Sequence, residues 1–557
     1  MRPIPVRQFA SFASFVSFAL LAALLTACGD NAAPLVPGDG ATAGDAGAPP
    51  LDGHVSAEAA SSSWNQPDPQ GRTTEGDVSK AEPELLIVTS QALEAAWAPY
   101  AEHRTLGGVS TAVMTIEAIK ATRPAASPAA SLRLELVDRF ARGRLKAVLL
   151  GGDAEVVPIR RVEGSVSTLL GSFSSNGPAE LYFGDLDSNW DGALTLAQLR
   201  APEIGVGRVP VKTAAEVAGY LAKIKTYELQ PAARATYPLA VSDIATSIPI
   251  LGDIDGAEGL EPTMAALWPA AFKAHSRKLY ATQAAATKYS GELFSPQKAL
   301  SAFNDGHLLM FHNGHGTYDA FTDALDTSWV NALQNALPSV FLTCACLAGN
   351  FADIADSSDF HDWKVQGASD ASAGERFIVA DHGGVAYVGN VAIGLGPVGG
   401  SQFLHGVFDG LFGKGKRRIG DAVNHAHATM RTFSLPMMGI PMPVDDNTER
   451  WTHLVVVLLG DPTLEVWTAE PAIAAIMAPA SYGPGFQELR ITVQAGGAPL
   501  AGATVTLVKS GDFVLRGSTN AAGAATFKFI PKGAAPIHVG VSGANLIGGR
   551  LEIQPKG

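Results

Sequence analysis

Two apolar runs that end abruptly constrain this chain more than any other feature: HLLMFHNGHG at 307–316 and SVFLTCACLAGNF at 339–351. Each is rich in β-branched or aromatic residues without polar alternation, as strands buried on both faces of a parallel sheet are. Each stops at small and reactive residues. In open α/β sheets the ligand crevice lies beyond the carboxyl ends of the strands. His315 after one run and Cys346 after the other, 31 positions apart, are therefore expected to meet there.

A thiol is a strong nucleophile only as thiolate, and a nearby imidazole both favours that form and can protonate a leaving amine. Gly314 and Gly316 flank His315 and leave an approaching backbone unobstructed. The Gly316 and Cys346 N–H groups are candidates for an oxyanion hole. Taken singly, Cys346 is also an ordinary small hydrophobe and His315 an ordinary hydrogen-bonded strand end. A further alternative makes His312, His315, Cys344 and Cys346 a tetrahedral zinc set, matching in number and kind. The C-x-C spacing is tighter than in common zinc motifs, and that reading leaves the glycines without purpose.

An apolar strand ending in His-Gly, then one ending in Ala-Cys, resembles the caspase-like cysteine peptidases. Gly-His-Gly-Thr with Ala-Cys-Leu-Ala-Gly-Asn-Phe is similar to the gingipain family within them. The resemblance implies a nucleophile at Cys346 rather than Cys344, a base at His315 rather than His312, a protein or peptide substrate, and no cofactor for catalysis. Asp243, at the end of the YPLAVSD strand, matches the family's acidic residue that orients the imidazole; a helix N-cap explains it equally well. Arginine-cleaving gingipains carry a Trp after the strand AYVGN, where this chain has Ile393, Gly394 and Leu395, so arginine specificity is not carried over.

The amino terminus reads as an export signal. Arg2 and Arg7 precede an apolar stretch, and Leu25-Thr26-Ala27-Cys28 resembles a bacterial lipobox. That resemblance implies acylation of Cys28 and a lipid anchor to a bacterial membrane, with the folded part facing the periplasm or cell surface. The 40 basic and 53 acidic residues become 38 − 53 = −15 once Arg2 and Arg7 are removed, which argues against a nucleic-acid partner. Residues 28–82 are Ala, Pro, Gly, Ser and Asp with few large apolar side chains, the composition of a disordered linker.

From Glu84 the strands ELLIVTS, STAVMTI and KAVLLGGD alternate with the helical AWAPYAEHRTL and SLRLELVDRFARGRL, predicting βα units on a parallel sheet. Next comes Asp187-x-Asn189-x-Asp191-Gly192, the start of a calcium loop, whose ligands would be Asp187, Asn189, Asp191, Ala193, Thr195 and Gln198. Gln198 stands where a bidentate Glu is usual, and an Asx-rich surface turn is the alternative. Arg208 fits a structural salt bridge better than a carboxylate site. HLVVVLLGDPTLEVW reads as a long apolar strand ending in Gly460-Asp461-Pro462. After Trp467 the composition changes to short alternating strands and Gly/Asn turns.

The expected organisation is a signal peptide (1–27), a linker (28–82), two α/β halves of a caspase-like catalytic domain (83–230 and 231–468, the second carrying the reactive residues), and an all-β, immunoglobulin-like sandwich (469–557). The sequence also admits an inert peptidase-like surface binding protein.

Overall fold

The computed structural model describes residues 74–168, 171–192, 194–230, 237–248, 252–322, 325–352, 371–432, 436–437, 440–441 and 444–556. The lipobox Cys28, the signal peptide and the first part of the linker lie outside them. Among the described residues no helix is long and apolar enough to cross a membrane.

An eleven-stranded sheet organises the α/β part. Its strands are β1 (Leu85–Thr89), β2 (Thr111–Thr115), β3 (Ala147–Gly151), β4 (Gly205–Val209), β5 (Leu239–Ser242), β6 (Arg277–Tyr280), β7 (Glu292–Leu293), β8 (Leu309–Asn313), β9 (Ser339–Thr343), β10 (Gly384–Asn390) and β11 (Val456–Gly460). They lie in the order β7-β6-β5-β8-β9-β10-β11-β4-β3-β1-β2. Neighbours are parallel everywhere except at β10 and β11, where Val388 faces Leu458 in an antiparallel pair. Two parallel blocks of opposite sense thus share one sheet. β11, last in the chain, pairs with β4 through Leu459 and Arg208, so the strand that closes the series sits among those that open it.

The central strands are buried along their whole length, as LLIVT in β1, SVFLT in β9 and GVAYVGN in β10 show. Helices cover both faces, which is why these runs lack polar alternation. The helices that matter below are α1 (Glu94–Leu106), α2 (Ala214–Leu229), α3 (Ala373–Val379), α4 (Gly400–Phe408) and α5 (Asp446–Val455). α2 starts at a capping box formed by Thr213 and Glu216, and buries Val217, Leu221, Ile224 and Tyr227 along one face, as its periodicity predicts.

The run HLVVVLLGDPTLEVW is not one strand. His453, Leu454 and Val455 end α5, which a capping box of Asp445 and Thr448 begins, and the chain turns extended only at Val456. A capping signal eight to ten residues upstream outweighs the β-propensity of the valines, because it commits the turns that the valines complete.

The carboxyl-terminal strands form two sheets around a core that includes Leu489, Ile491, Val505, Leu507, Phe527 and Val539. One sheet takes a strand from the stretch expected to be disordered. Thr74–Asp77 pairs antiparallel with Phe513–Ser518, Val78 N–H donates to Val514 O at 2.8 Å, and Val514 N–H donates to Asp77 Oδ1 at 3.1 Å. The composition of 28–82 hides this because a strand added to an open sheet edge is held by main-chain bonds and needs no large side chains. Next to it Arg516 makes a two-pronged ion pair with Glu84, with Nη2 to Oε1 at 3.0 Å, and so ties the sandwich to the start of the α/β part.

Candidate active site

β8 and β9 are neighbours in register, with His312 beside Thr343, so the two reactive segments leave the sheet side by side. The glycines around His315 answer to backbone crowding. A Cβ on Gly314 would lie 2.5 Å from Asp243 Cβ, and one on Gly316 would lie 2.6 Å from Ala345 Cβ and 3.0 Å from Cys346 N. Only glycine lets the ends of β5, β8 and β9 close to this degree. The same closeness places Asp243 against the residue before His315, and Cys346 against the residue after it. His315 is exposed, and Cys346 and Asp243 are half-buried.

Asp243 is held by its backbone: its N–H donates to Asn313 O at 3.2 Å, and its O accepts from Gly256 N–H at 2.8 Å. Its Oδ1 accepts from Ile244 N–H at 2.8 Å. The residue does not cap a described helix; a hairpin, Ile244–Ile248 with Gly252–Asp255, follows it.

The turn after β9 is stitched to the segment after β10. Asn390 Nδ2 donates to both Cys344 O and Ala345 O at 3.1 Å, and Leu347 N–H donates to Ala392 O at 2.9 Å. Leu347 takes a φ of 59°, left-handed backbone that a branched side chain rarely adopts, directly after the thiol. Gly394 N–H donates to Cys346 Sγ at 3.2 Å, and the thiol reaches back to Gly394 O at 3.6 Å. Burial pushes the Cys346 thiol up, and the Gly394 N–H opposes the rise.

β9 ends at Thr343, so Cys344 is the first residue beyond the strand rather than a residue deep within it. It is nonetheless buried, with Sγ 3.6 Å from Ser401 Oγ, and burial pushes its thiol up to about 12. His312 is buried beneath His315. Its Nδ1 lies 2.7 Å from Thr343 Oγ1, and burial, with the His315 charge adding to it, holds the imidazole down to about 3. These separate partners dismantle the zinc reading: among the described residues, His312, His315, Cys344 and Cys346 do not bring their ligand atoms together.

The calcium loop is also rearranged. Asp191 pairs with Arg160 at 2.8 Å, Asn189 Oδ1 accepts from Asp191 N–H at 3.1 Å, and Thr195 and Gln198 bond each other in the capping box of the short helix Leu196–Leu199. Ala193 lies outside the described residues. Of the six expected ligands, Asp187 alone belongs to the carboxylate group that does converge, which is Asp185, Asp187 and Glu203. Burial first, then the neighbouring carboxylates, pushes Asp185 up to about 6 and Glu203 up to about 7.

Arg208 is structural, as expected. Wholly buried, it donates to Gly152 O at 2.7 Å and Val157 O at 3.0 Å, pairs with Glu180 at 3.1 Å, and lies over the Phe351 ring. Sequence reasoning placed Gly394 in the segment after the strand AYVGN without a role at the thiol, and it missed Asn390 and Trp451. Trp451 Nε1 on α5 donates to Ile393 O at 2.7 Å and so braces the residue before Gly394. A strand-end Asn was visible in the sequence. The Trp was not: it precedes the apolar run that starts at His453, and only the tertiary structure brings it against Ile393.

The arrangement has known counterparts. The structure is similar to the crystal structure of the Arg-specific cysteine proteinase gingipain R, with TM-score 0.63, 17% identity, and 86% of this chain and 99% of that one covered. It is likewise similar to the complex of the Porphyromonas gingivalis RgpB pro- and mature domains (TM-score 0.62, 17% identity, 85% and 100% covered) and to a further protease structure (TM-score 0.64, 16% identity, 86% and 99% covered). At this identity the likeness speaks for the fold. No curated protein matches the chain by sequence. The model of peptidase family C25 matches residues 79–467, the whole α/β part with its caspase-like sheet and its paired strand ends, and the chain belongs to that family, the gingipain family of cysteine peptidases.

Proposed function

We propose that the chain is an active cysteine endopeptidase working by acyl transfer, with Cys346 as nucleophile and His315 as base and acid. The observation that carries this reading is the packing of Gly316 on Ala345 and Cys346, which sets the neighbour of His315 against the backbone of the nucleophile. As Cys346 attacks a peptide carbonyl, its S–H proton passes to His315, the S–C bond forms, and the carbonyl oxygen takes up negative charge. The Gly316 and Cys346 N–H groups receive that charge. His315 then gives its proton to the leaving amine as the C–N bond breaks. Water cleaves the thioester, loses a proton to His315, and the imidazole returns it to sulfur. Asp243 orients the imidazole throughout, and no cofactor enters.

The Gly394 N–H, which donates to the sulfur, reduces the cost of the thiolate as it forms. The substrate is a protein or peptide. The chain is exported and tethered to a bacterial membrane through acylated Cys28, and its acidic balance agrees with the absence of a nucleic-acid partner.

Labelling with a thiol-directed peptidyl electrophile tests the catalytic reading. Label is expected on Cys346, retained in Cys344→Ala, and slowed by about 100-fold in His315→Ala. Absence of label at Cys346, together with no cleavage of a peptide library, would sink it in favour of an inert binding protein. The tether is tested by the mass of the membrane-extracted protein, which should carry acyl chains at Cys28.

A further inference from the structure

A cavity opens where the carboxyl-terminal sandwich packs on the α/β part, and both parts wall it. The α/β part contributes Arg104, Glu228, Arg418 and Glu465, and the sandwich contributes Ser542 and Arg550. Arg104 lies in the last turn of α1 and Glu228 in the last turn of α2. Arg418 precedes the helix Ile419–Thr429, and Arg550 opens the strand Arg550–Pro555. Ser542 Oγ donates to Gly107 O at 2.7 Å and so joins the two walls.

Three guanidinium groups thus share one cavity with two carboxylates, and the carboxylates are already divided. Glu228 pairs with Arg104 Nη1 through one oxygen and with His103 Nε2 at 2.8 Å through the other, while Arg104 Nε also meets Asp461 at 2.5 Å. Glu465 lies 3.7 Å from Arg417 and 3.9 Å from Arg418. Arg550 is the cation left over. It makes no ion pair among the described residues, and its Nη1 donates only to main-chain oxygens, Gly549 O at 3.2 Å and Val541 O at 3.4 Å. Its Nε is buried and has no hydrogen-bond partner among the described residues. Burial lowers the pKa of both Arg418 and Arg550; Glu465 and Glu228 respectively oppose this, and the charge of Arg104 adds to it. A cation drawn out of water without a counter-charge is costly.

We infer that this cavity binds a tetrahedral oxyanion of the phosphate or sulfate class, held between Arg550 of the sandwich and Arg104 and Arg418 of the α/β part. Guanidinium forks match such oxygens two at a time. Donors from two walls suit four oxygens that point in several directions better than the single edge of a carboxylate. The anion supplies the charge that Arg550 lacks, and it joins the sandwich to the α/β part in addition to the pair of Arg516 with Glu84.

The full chain, dialysed into chloride buffer, is titrated with inorganic phosphate, sulfate and acetate by calorimetry, and its melting is followed at constant ionic strength. One phosphate or sulfate per chain is expected, with a melting temperature that rises with its concentration. Acetate should bind more weakly by about tenfold or more. Arg550→Gln and Arg550→Lys should each weaken phosphate by about tenfold or more, since the first loses the charge and the second the fork. Arg490→Gln, at an exposed sandwich position that does not line the cavity, should bind as the parent does. No binding at about 10 mM of either tetrahedral anion, or a melting temperature that follows ionic strength alone, overturns the site. Phosphate affinity unchanged in Arg550→Gln, or acetate bound as tightly as phosphate, also overturns it. Should Arg550→Gln fail to fold, Arg550→Lys decides alone.

Discussion

The N–H of Gly394 donates to Sγ of Cys346 at 3.2 Å, so the reactive thiol is held by a residue from the next strand's exit rather than by its own turn. That bond ties the turn after β9 to the segment after β10.

The two neighbouring thiols should separate cleanly. Cys346→Ala is expected to remove peptidase activity, whereas Cys344→Ala should keep most of kcat/KM and cost about 1 kcal/mol of stability from the small cavity beside Ser401. Peptide hydrolysis and thermal melting on the two variants check this, and an essential Cys344 would mean the strand end is misassigned.

Trp451 reaches the site only through Ile393 O. α5, which carries it, is anchored to the first block by Glu449, 2.7 Å from Arg200 Nη2. Trp451→Phe keeps an aromatic ring but loses the N–H, at about 1 kcal/mol for a bond of this kind, and leaves a cavity where the rest of the indole was buried. The expected result is a fall in kcat/KM of about fivefold, with slower alkylation of Cys346. A drop in melting temperature with unchanged alkylation would mark the tryptophan as mere packing.

The Glu375 carboxyl in α3 is held up to about 8, first by burial and then by the charge of Asp153, against an ordinary 4.5. A carboxyl raised in the folded state favours folding fully below its ordinary value and loses that contribution as pH rises towards 8. Stability should therefore decline across that window by up to about 1.4 kcal/mol per pH unit. Glu375→Gln retains an acceptor for Ser372 N–H and should flatten the decline, as measured by chemical denaturation at pH 5 and pH 8. Parallel curves for the two proteins would contradict the assignment.

The strand Thr74–Asp77 sets the boundary of the folded unit. A fragment beginning at residue 83 should melt several degrees below one beginning at residue 74, because the edge Phe513–Ser518 is then left unpaired. Equal melting temperatures would show that the added strand contributes nothing.

Much of this protein could be read along the chain. Strands buried on both faces leave continuous apolar runs, so β1, β3, β8, β9 and β10 were evident. Gly-His-Gly and Ala-Cys at two run ends located the crevice, and the face Val217, Leu221, Ile224 and Tyr227 announced α2. Such signals survive in sequence because they are local: periodicity, capping and turn chemistry act over a few residues.

Tertiary structure decided the rest, wherever one segment answers to another that is distant in sequence. The β10–β11 junction is antiparallel because the chain returns from α5, and no property of VVLLG states a direction. TEGD becomes a strand because the edge Phe513–Ser518 accepts it. Thr195 and Gln198 look like metal ligands until they are seen to cap a helix, while Glu203 joins Asp185 from beyond the motif. The surroundings of the Cys346 thiol have the same origin: burial by other segments pushes it up and one N–H from Gly394 opposes the rise, and neither is encoded beside it.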